Sequence, residues 1–413
     1  MPASSRPVQA YAPRQGPRPL ALHLASATGA WTSSRAALPL LKSGLLPWRP
    51  EFVLAGGTLS LALAGAKSDS FAAALDAELT RRAALFLDGV ERYRTHPYHR
   101  DLPEPPVLWQ QGTSRLLDYR PRGGPPILVV PSLINRAYIL DLAPGQSLLR
   151  HLSAQGLRPL LLDWGAPGDI ERRFNVGDYI VERLEPAAAV ARQAADGASP
   201  TVLGYCMGGL LALALAARRP DLVNALALLA TPWRFHAERA EQARLLGVLA
   251  EPIARSSEPL GEVPVDVLQA LFAAQDPLLA LRKFSRFAEM PQDGAAAHGF
   301  VALEDWLNDG VPLAIPVARE CLGGWYGKDL PGRGQWRVGG KRILPDEIDV
   351  PALVVVPAQD RIVPPATAAV LADELPRAER LRPTLGHIGM IVARDAPAAV
   401  WAPLTAWLTG QTR

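Results

Sequence analysis

The stretch Gly204-Tyr205-Cys206-Met207-Gly208-Gly209 constrains the fold of this chain more than any other. Upstream, Pro200-Thr201-Val202-Leu203 reads as a short buried strand. Downstream, Leu210 to Arg219 reads as a helix rich in alanine and leucine. A cysteine between glycines at such a strand–turn–helix junction sits on a strained turn, which only small flanking residues tolerate. Gly204 and Gly208 hold the flanking positions, so the Cys206 thiol is expected to project above a sheet edge at a helix N-terminus. There the positive end of the helix dipole favours negative charge, the form in which a thiol attacks. A structural cysteine in a Gly-rich turn has the same local pattern. An acid and a histidine farther along, in a usable order, separate the two.

Both follow. Ala352-Leu353-Val354-Val355-Val356-Pro357 reads as a buried strand that ends in the acidic loop Ala358-Gln359-Asp360-Arg361-Ile362-Val363-Pro364. After an amphipathic helix from Ala366 to Leu375 and a short strand, Leu385-Gly386-His387-Ile388-Gly389-Met390 places a histidine between two glycines. Nucleophile, acid and histidine in that chain order match the α/β-hydrolase triad, not the chymotrypsin or subtilisin arrangement. His387 is the expected base that takes the thiol proton. Asp360 is expected to hold the imidazole in the useful tautomer and to stabilise its cation.

The other candidates compete poorly. His96 and His99 lie in a basic segment with no Cys or carboxylate cluster to complete a metal site. His23, His151, His236 and His298 stand alone on helical or loop segments and read as surface or packing residues. Cys321 has no glycine elbow or histidine beside it and reads as a buried free thiol. Two cysteines more than a hundred residues apart, one of them given to catalysis, do not make a disulfide framework, so a reducing, cytoplasmic setting is expected. A net charge of +3 is too small to argue for nucleic acid as a partner.

The charge is unevenly placed. Arg6, Arg14, Arg18, Arg35, Lys42 and Arg49 precede the first acid, Glu51. Such a start resembles a transit peptide, but Pro2, Pro7, Pro13, Pro17 and Pro19 argue against a regular helix, so residues 1–50 are expected to form a basic, disordered arm. Phe52 to Ala66 is apolar but only 15 residues long and interrupted by Gly56-Gly57, too short to span a membrane. Residues 51–106 read as an N-terminal helical extension, led by an amphipathic pattern from Ser68 to Arg94 (Phe71, Leu75, Leu79, Ala83, Leu87, Val90). Buried strands are expected at Ile127–Pro131, Pro159–Trp164, the segment before Cys206, Ala225–Leu229 and Leu353–Val356, with a helix from Gln146 to Gln155. Strands alternating with helices predict an α/β, mostly parallel, doubly wound sheet. The core would run over residues 107–230 and 351–413. Between the fourth and fifth strands lie about 120 residues, so 231–350 is expected to be a cap insertion, helical at first and rich in Gly and Trp later. With Trp233, Trp306, Trp325 and Trp336, it is expected to cover Cys206 and to open for substrate, as water-excluding lids do.

From about Pro125 to Ala393 the chain resembles the polyhydroxyalkanoate synthases, nearest to the short two-subunit, class III type. The matching stretches are Val129-Val130-Pro131-Ser132-Leu133-Ile134-Asn135-Arg136-Ala137-Tyr138-Ile139-Leu140-Asp141-Leu142, Leu162-Asp163-Trp164-Gly165, Gly177-Asp178-Tyr179-Ile180 and the elbow. They continue in Trp336-Arg337-Val338-Gly339-Gly340-Lys341-Arg342-Ile343, Ile348-Asp349-Val350-Pro351, Asp360-Arg361-Ile362-Val363-Pro364 and Gly386-His387-Ile388-Gly389. The resemblance puts the family's triad on Cys206, Asp360 and His387, the same three residues that the local chemistry selects, and implies that Ser132 to Asn135 lines the pocket. The first hundred residues match only around Arg92 to Pro106.

What the resemblance implies is acyl transfer from a 3-hydroxyacyl-CoA, through an acyl-cysteine, into a growing polyester chain. The backbone N–H of Met207, with one from Ser132–Leu133, is the expected oxyanion site. No metal and no cofactor is expected, because CoA arrives on the substrate and leaves. The expected setting is the cytoplasm, at polyester granules, with a second synthase subunit or a homodimer as further partner. A thioesterase or an intracellular polyester depolymerase would use the same triad with water as acceptor. A non-catalytic granule-coat protein would have no need of an intact Cys206, Asp360 and His387.

Overall fold

Almost unbroken apolar runs, such as Ile127-Leu128-Val129-Val130 and Pro159-Leu160-Leu161-Leu162, suit strands covered by helices on both faces. In the computed structural model, which describes residues 14–64 and 68–411, such runs form the centre of an eight-stranded sheet. Its strands in chain order are β1 (Val107–Gln111), β2 (Ser114–Asp118), β3 (Pro126–Val130), β4 (Arg158–Asp163), β5 (Thr201–Tyr205), β6 (Ala225–Leu229), β7 (Ala352–Val355) and β8 (Ala378–Leu381). The spatial order is β1-β2-β4-β3-β5-β6-β7-β8. β1 and β2 form an antiparallel hairpin that adds antiparallel to β4, and every other pairing is parallel. The register sets Ile127 opposite both Pro159 and Thr201, and Leu226 opposite both Val202 and Ala352.

This order places the site. From β3 the chain moves outward to β4, then crosses to the far side of β3 to make β5. Where the winding reverses, the loops at the carboxyl ends of β3 and β5 leave in opposite directions and open a crevice. The helix Met207–Arg218 follows β5 directly and is buried along its length except at Arg218. The expected helix at Gln146 begins later: Gln146 and Ser147 pair as a short strand, and Ser147 caps the helix Leu148–Ala154 by accepting from Arg150 N–H.

The chain divides into two compact units. One comprises residues 100–265 and 309–413 and holds the sheet. The other joins residues 1–99 to 266–308, so the insertion expected as one cap over 231–350 is shared between the units. In the smaller unit the long helix Ser68–Thr95 packs on Leu279–Ala288 around Phe86, Val90, Tyr93, Phe284, Phe287 and Val301. Phe287 stacks on Phe300 with ring centroids 4.3 Å apart. Arg14 ties its own segment to this core, donating to Asp305 Oδ1 at 2.6 Å and to the His96 carbonyl at 2.5 Å.

The arm expected to be disordered over 1–50 is helical over Leu20–Ala36 and Leu38–Lys42, while residues 1–13 lie outside the described residues. The physical reason is where the prolines fall. The last of the series, Pro19, is the N-cap, and from Leu20 the run is rich in Leu and Ala, with Pro next at the start of the following helix. Ala has the highest intrinsic helix propensity and Pro is tolerated at a helix start. Among the described residues no helix is long and apolar enough to cross a membrane.

The helix Ser68–Thr95 depends on a close approach at Gly89, where a Cβ would stand 2.0 Å from the Phe284 carbonyl oxygen. Gly89→Ala is expected to destabilise the protein by about 1–3 kcal/mol through overpacking. Gly57, helical with open space above it, should tolerate Ala without loss and gain up to about 1 kcal/mol from helix propensity. Urea unfolding of the two variants would check this. Equal midpoints would contradict it.

Candidate active site

The site is built at the carboxyl ends of β5, β7 and β8. Cys206 follows β5 with φ 55° and ψ −125°, a left-handed backbone that costs an ordinary residue on the order of 1–3 kcal/mol. The surroundings hold it there. Cys206 N–H donates to the Leu229 carbonyl of β6 at 2.8 Å, and the Cys206 carbonyl accepts from Gly209 N–H at 3.0 Å. A Cβ on Gly204 would lie 2.5 Å from Gly209 Cα, and one on Gly208 would lie 2.0 Å from the Val130 carbonyl at the end of β3. The glycines the sequence puts around Cys206 are therefore required by close contact with neighbouring backbone.

Asp360 and His387, both buried, meet on the far side of the elbow. His387 Nδ1 lies 2.7 Å from Asp360 Oδ2. The other carboxylate oxygen, Oδ1, accepts from the backbone N–H groups of Ile362 at 2.9 Å and Val363 at 2.8 Å. With the carboxylate fixed from its own loop, the imidazole can turn only its Nε2 outward. Cys206 lies close enough to the His387 ring for its charge to act on the imidazole. Burial alone pushes the His387 imidazolium down. A charged Cys206 sulfur and the bond to Asp360 outweigh burial, and the pKa is raised from 6.5 to about 10.

The structure thus brings Cys206, Asp360 and His387 together. Met207 opens the helix Met207–Arg218, so its N–H lacks an intrahelical partner. Ser132 and Leu133 follow β3, next to the Val130 carbonyl that Gly208 abuts. The Ser132 hydroxyl is turned back to accept from Ile134 N–H at 3.0 Å. Trp164 Nε1 donates to the Pro131 carbonyl at 3.1 Å and braces the start of that loop. Cys321 is buried, and burial pushes its thiol well up, as suits an inert cysteine. His96 is engaged with the Gln292 carbonyl at 2.8 Å. Among the described residues no group of three or more His, Cys, Asp or Glu could hold a metal ion.

Three residues around the site carried no signal in the sequence. Tyr205, the strand residue before Cys206, donates its phenol O–H to the His387 carbonyl at 3.1 Å, and its ring lies 5.3 Å from the imidazole. Tyr326 lies close enough to Cys206 and Asp360 for their charges to act on its phenol. His236, expected to be a bystander, has its Nε2 2.7 Å from the Tyr326 carbonyl.

Comparison with known proteins agrees with this architecture. Residues 125–393 match the family described as alpha/beta hydrolase fold, and the chain belongs to that family. Within it, the chain is similar to proteins named poly(3-hydroxyalkanoate) polymerase subunit PhaC. That of Synechocystis sp. is 30% identical, over 67% of this chain and 76% of the relative. That of Allochromatium vinosum is 27% identical, over 70% and 83%. That of Haloferax mediterranei is 28% identical, over 73% of this chain and 63% of the relative's length. The chain is a member of the poly(3-hydroxyalkanoate) polymerase family. It spans less than two thirds of the length of the relatives from Haloferax mediterranei and Haloarcula marismortui, 63% and 60%.

The raised His387 pKa has a thermodynamic consequence. The folded protein keeps a proton on this ring that the unfolded chain releases near pH 6.5. The stabilisation is complete below that pH and is lost as pH climbs through about 10. Cys206→Ala removes one of the groups that raise the pKa, so the ring should titrate at lower pH in that variant. NMR of the histidine ring protons between pH 6 and 11 would check this. An unchanged midpoint would contradict the coupling.

Proposed function

We propose that this chain is an acyltransferase that joins 3-hydroxyacyl groups, delivered as CoA thioesters, into a polyhydroxyalkanoate by way of an acyl-cysteine at Cys206. The observation that carries the reading is a thiol on a strained elbow, in a polymerase-family chain, beside a histidine bonded to a buried carboxylate. His387 takes the thiol proton and the Cys206 sulfur attacks the thioester carbonyl carbon. The carbon–sulfur bond to CoA then breaks, and the leaving CoA thiolate takes from His387 the proton that came from Cys206, leaving the imidazole neutral. The N–H of Met207 and one from Ser132–Leu133 face the oxygen on which charge develops. In the second half, the hydroxyl of a 3-hydroxyacyl unit gives its proton to His387 and attacks the acyl-cysteine. An oxoester forms and the sulfur is released. Asp360 keeps the imidazole in one tautomer and balances its charge through both steps.

A thiol suits this sequence of steps. Passing an acyl group from CoA to cysteine exchanges one thioester for another, so the group stays activated until the hydroxyl takes it downhill to an oxoester. The reaction needs no metal and no redox cofactor. The partners in this reading are 3-hydroxyacyl-CoA, the growing polyester or its granule surface in the cytoplasm, and a second synthase subunit or a second copy of this chain.

Purified protein incubated with 3-hydroxybutyryl-CoA, with and without candidate partner subunits, should release CoA and form insoluble polyester with little free 3-hydroxy acid. Cys206→Ala should abolish turnover, and Cys321→Ala should leave it unchanged. Asp360→Asn should still acylate Cys206 but turn over roughly 10³–10⁴-fold more slowly, as when a triad loses its orienting carboxylate. Free acid equal to CoA released, with no polymer under any condition, would replace this reading with a thioesterase.

A further inference from the structure

Tyr205 is the last residue of β5, paired in the sheet with Leu229 and buried, and it sits next to Cys206 in the chain. Its phenol O–H donates to the carbonyl of His387, 182 residues away in sequence, at 3.1 Å. The backbone around His387 does not take up that carbonyl. Met390 N–H donates to Gly386, Ile391 and Val392 N–H donate to Ile388, and Ala393 N–H donates to Gly389. A buried carbonyl without a partner is costly, and the Tyr205 hydroxyl supplies the partner. Burial pushes the Tyr205 pKa well up, which keeps the phenol protonated and able to donate. The same side chain also meets the His387 ring. The ring centroids lie 5.3 Å apart and the planes differ by 32°, nearer to stacked than to edge-on. An aromatic face attracts a cation that lies within about 6 Å of its centroid. The charged groups acting on this imidazole are Cys206 and Asp360, and Tyr205 brings a neutral ring to a third side of it.

We propose that Tyr205 is a positioning residue for His387, its hydroxyl holding the His387 backbone while its ring stabilises the imidazolium. The assignment rests on the acyl-transfer reading of the site. In that reading the imidazolium forms twice, once when the Cys206 thiol gives up its proton and once when the acceptor hydroxyl does. An aromatic face beside the imidazole favours both events without adding a charge. Asp360 grips the ring at Nδ1 and cannot by itself fix the backbone of the loop that carries it. Tyr205 does so from the residue next to Cys206, so sulfur and imidazole are both referred to the same strand end.

Two substitutions separate hydroxyl from ring. Tyr205→Phe removes the hydroxyl alone, and a ring-trifluorinated phenylalanine at position 205 keeps that shape with an electron-poor face. In a Cys206→Ala background, where no thiol titrates with the imidazole, NMR of the His387 ring protons reads the ring's effect. The midpoint should be the same for Tyr205 and Phe, and lower by roughly one pH unit with the fluorinated ring, the worth of a desolvated cation–aromatic contact. With Cys206 present, single-turnover release of CoA from 3-hydroxybutyryl-CoA should slow roughly tenfold in Tyr205→Phe, the worth of one hydrogen bond. Equal midpoints for Phe and its fluorinated form would overturn the role of the ring. An unchanged rate in Tyr205→Phe would overturn the role of the hydroxyl. No CoA release from the wild type would overturn the acyl-transfer reading instead, and the titration would still decide whether Tyr205 acts on His387.

Discussion

The backbone turn at Cys206 is the constraint on which the rest of the site depends. Its φ of 55° is unfavourable for any side chain, so the turn persists only because several strands hold it at once. β6 takes the Cys206 N–H through Leu229, β3 meets Gly208 through the Val130 carbonyl, and Thr231 abuts Gly209, where a Cβ would lie 1.8 Å from its Oγ1. Cys206 is thereby located by β3, β5 and β6 together and not by a mobile loop. A parallel sheet with both faces covered supplies the rigidity, and the reversal of winding beside β3 supplies the open crevice.

The same economy governs Asp360 and His387. Asp360 has no freedom to leave its loop, because two backbone N–H groups hold one oxygen while His387 holds the other. His387 is fixed at both ends, by Asp360 through the ring and by Tyr205 through its carbonyl. In the proposed reaction little reorganisation is then needed when charge passes between sulfur and imidazole, which is how preorganised electrostatics lowers a barrier. In the proposed reaction that charge appears twice, once on the way to the acyl-cysteine and once when the hydroxyl is activated, and the same pair serves both steps.

The elbow, the acidic loop and the Gly-His-Ile-Gly segment were legible in the sequence because each is a local backbone requirement written in small residues and short apolar runs. The central strands were legible for a related reason: burial on both faces leaves no polar positions to obscure them. The hairpin β1–β2 was not, since its outer strand is half exposed and carries Gln110 and Gln111, and its inner strand alternates buried and half-buried residues. The helix Leu20–Ala36 was hidden by the prolines just before it. Tyr205 and Tyr326 gave no signal for a different reason. Their contacts are set by tertiary packing, and an isolated tyrosine in a strand or an insertion has no spacing to betray it.

The division of the insertion between the two units also follows from packing that no periodicity announces. The polypeptide leaves the sheet-bearing unit after Val265 and returns at Asp309. Just before it leaves and just after it returns, Glu262–Val263 pairs antiparallel with Leu313–Ala314. Gly310 sits so close to Val265 that a Cβ would lie 2.5 Å from Val265 Cγ1. A ladder that fixes the two ends side by side closes the intervening loop, so ordering that loop elsewhere places no strain on the sheet, and closure entropy grows only slowly with its length. Helices 279–288 and 295–308 can then bury their apolar faces against Phe86, Val90 and Tyr93. The segments left behind, 231–265 and 309–351, include Phe235, His236 and Tyr326, which pack on one another in the sheet-bearing unit.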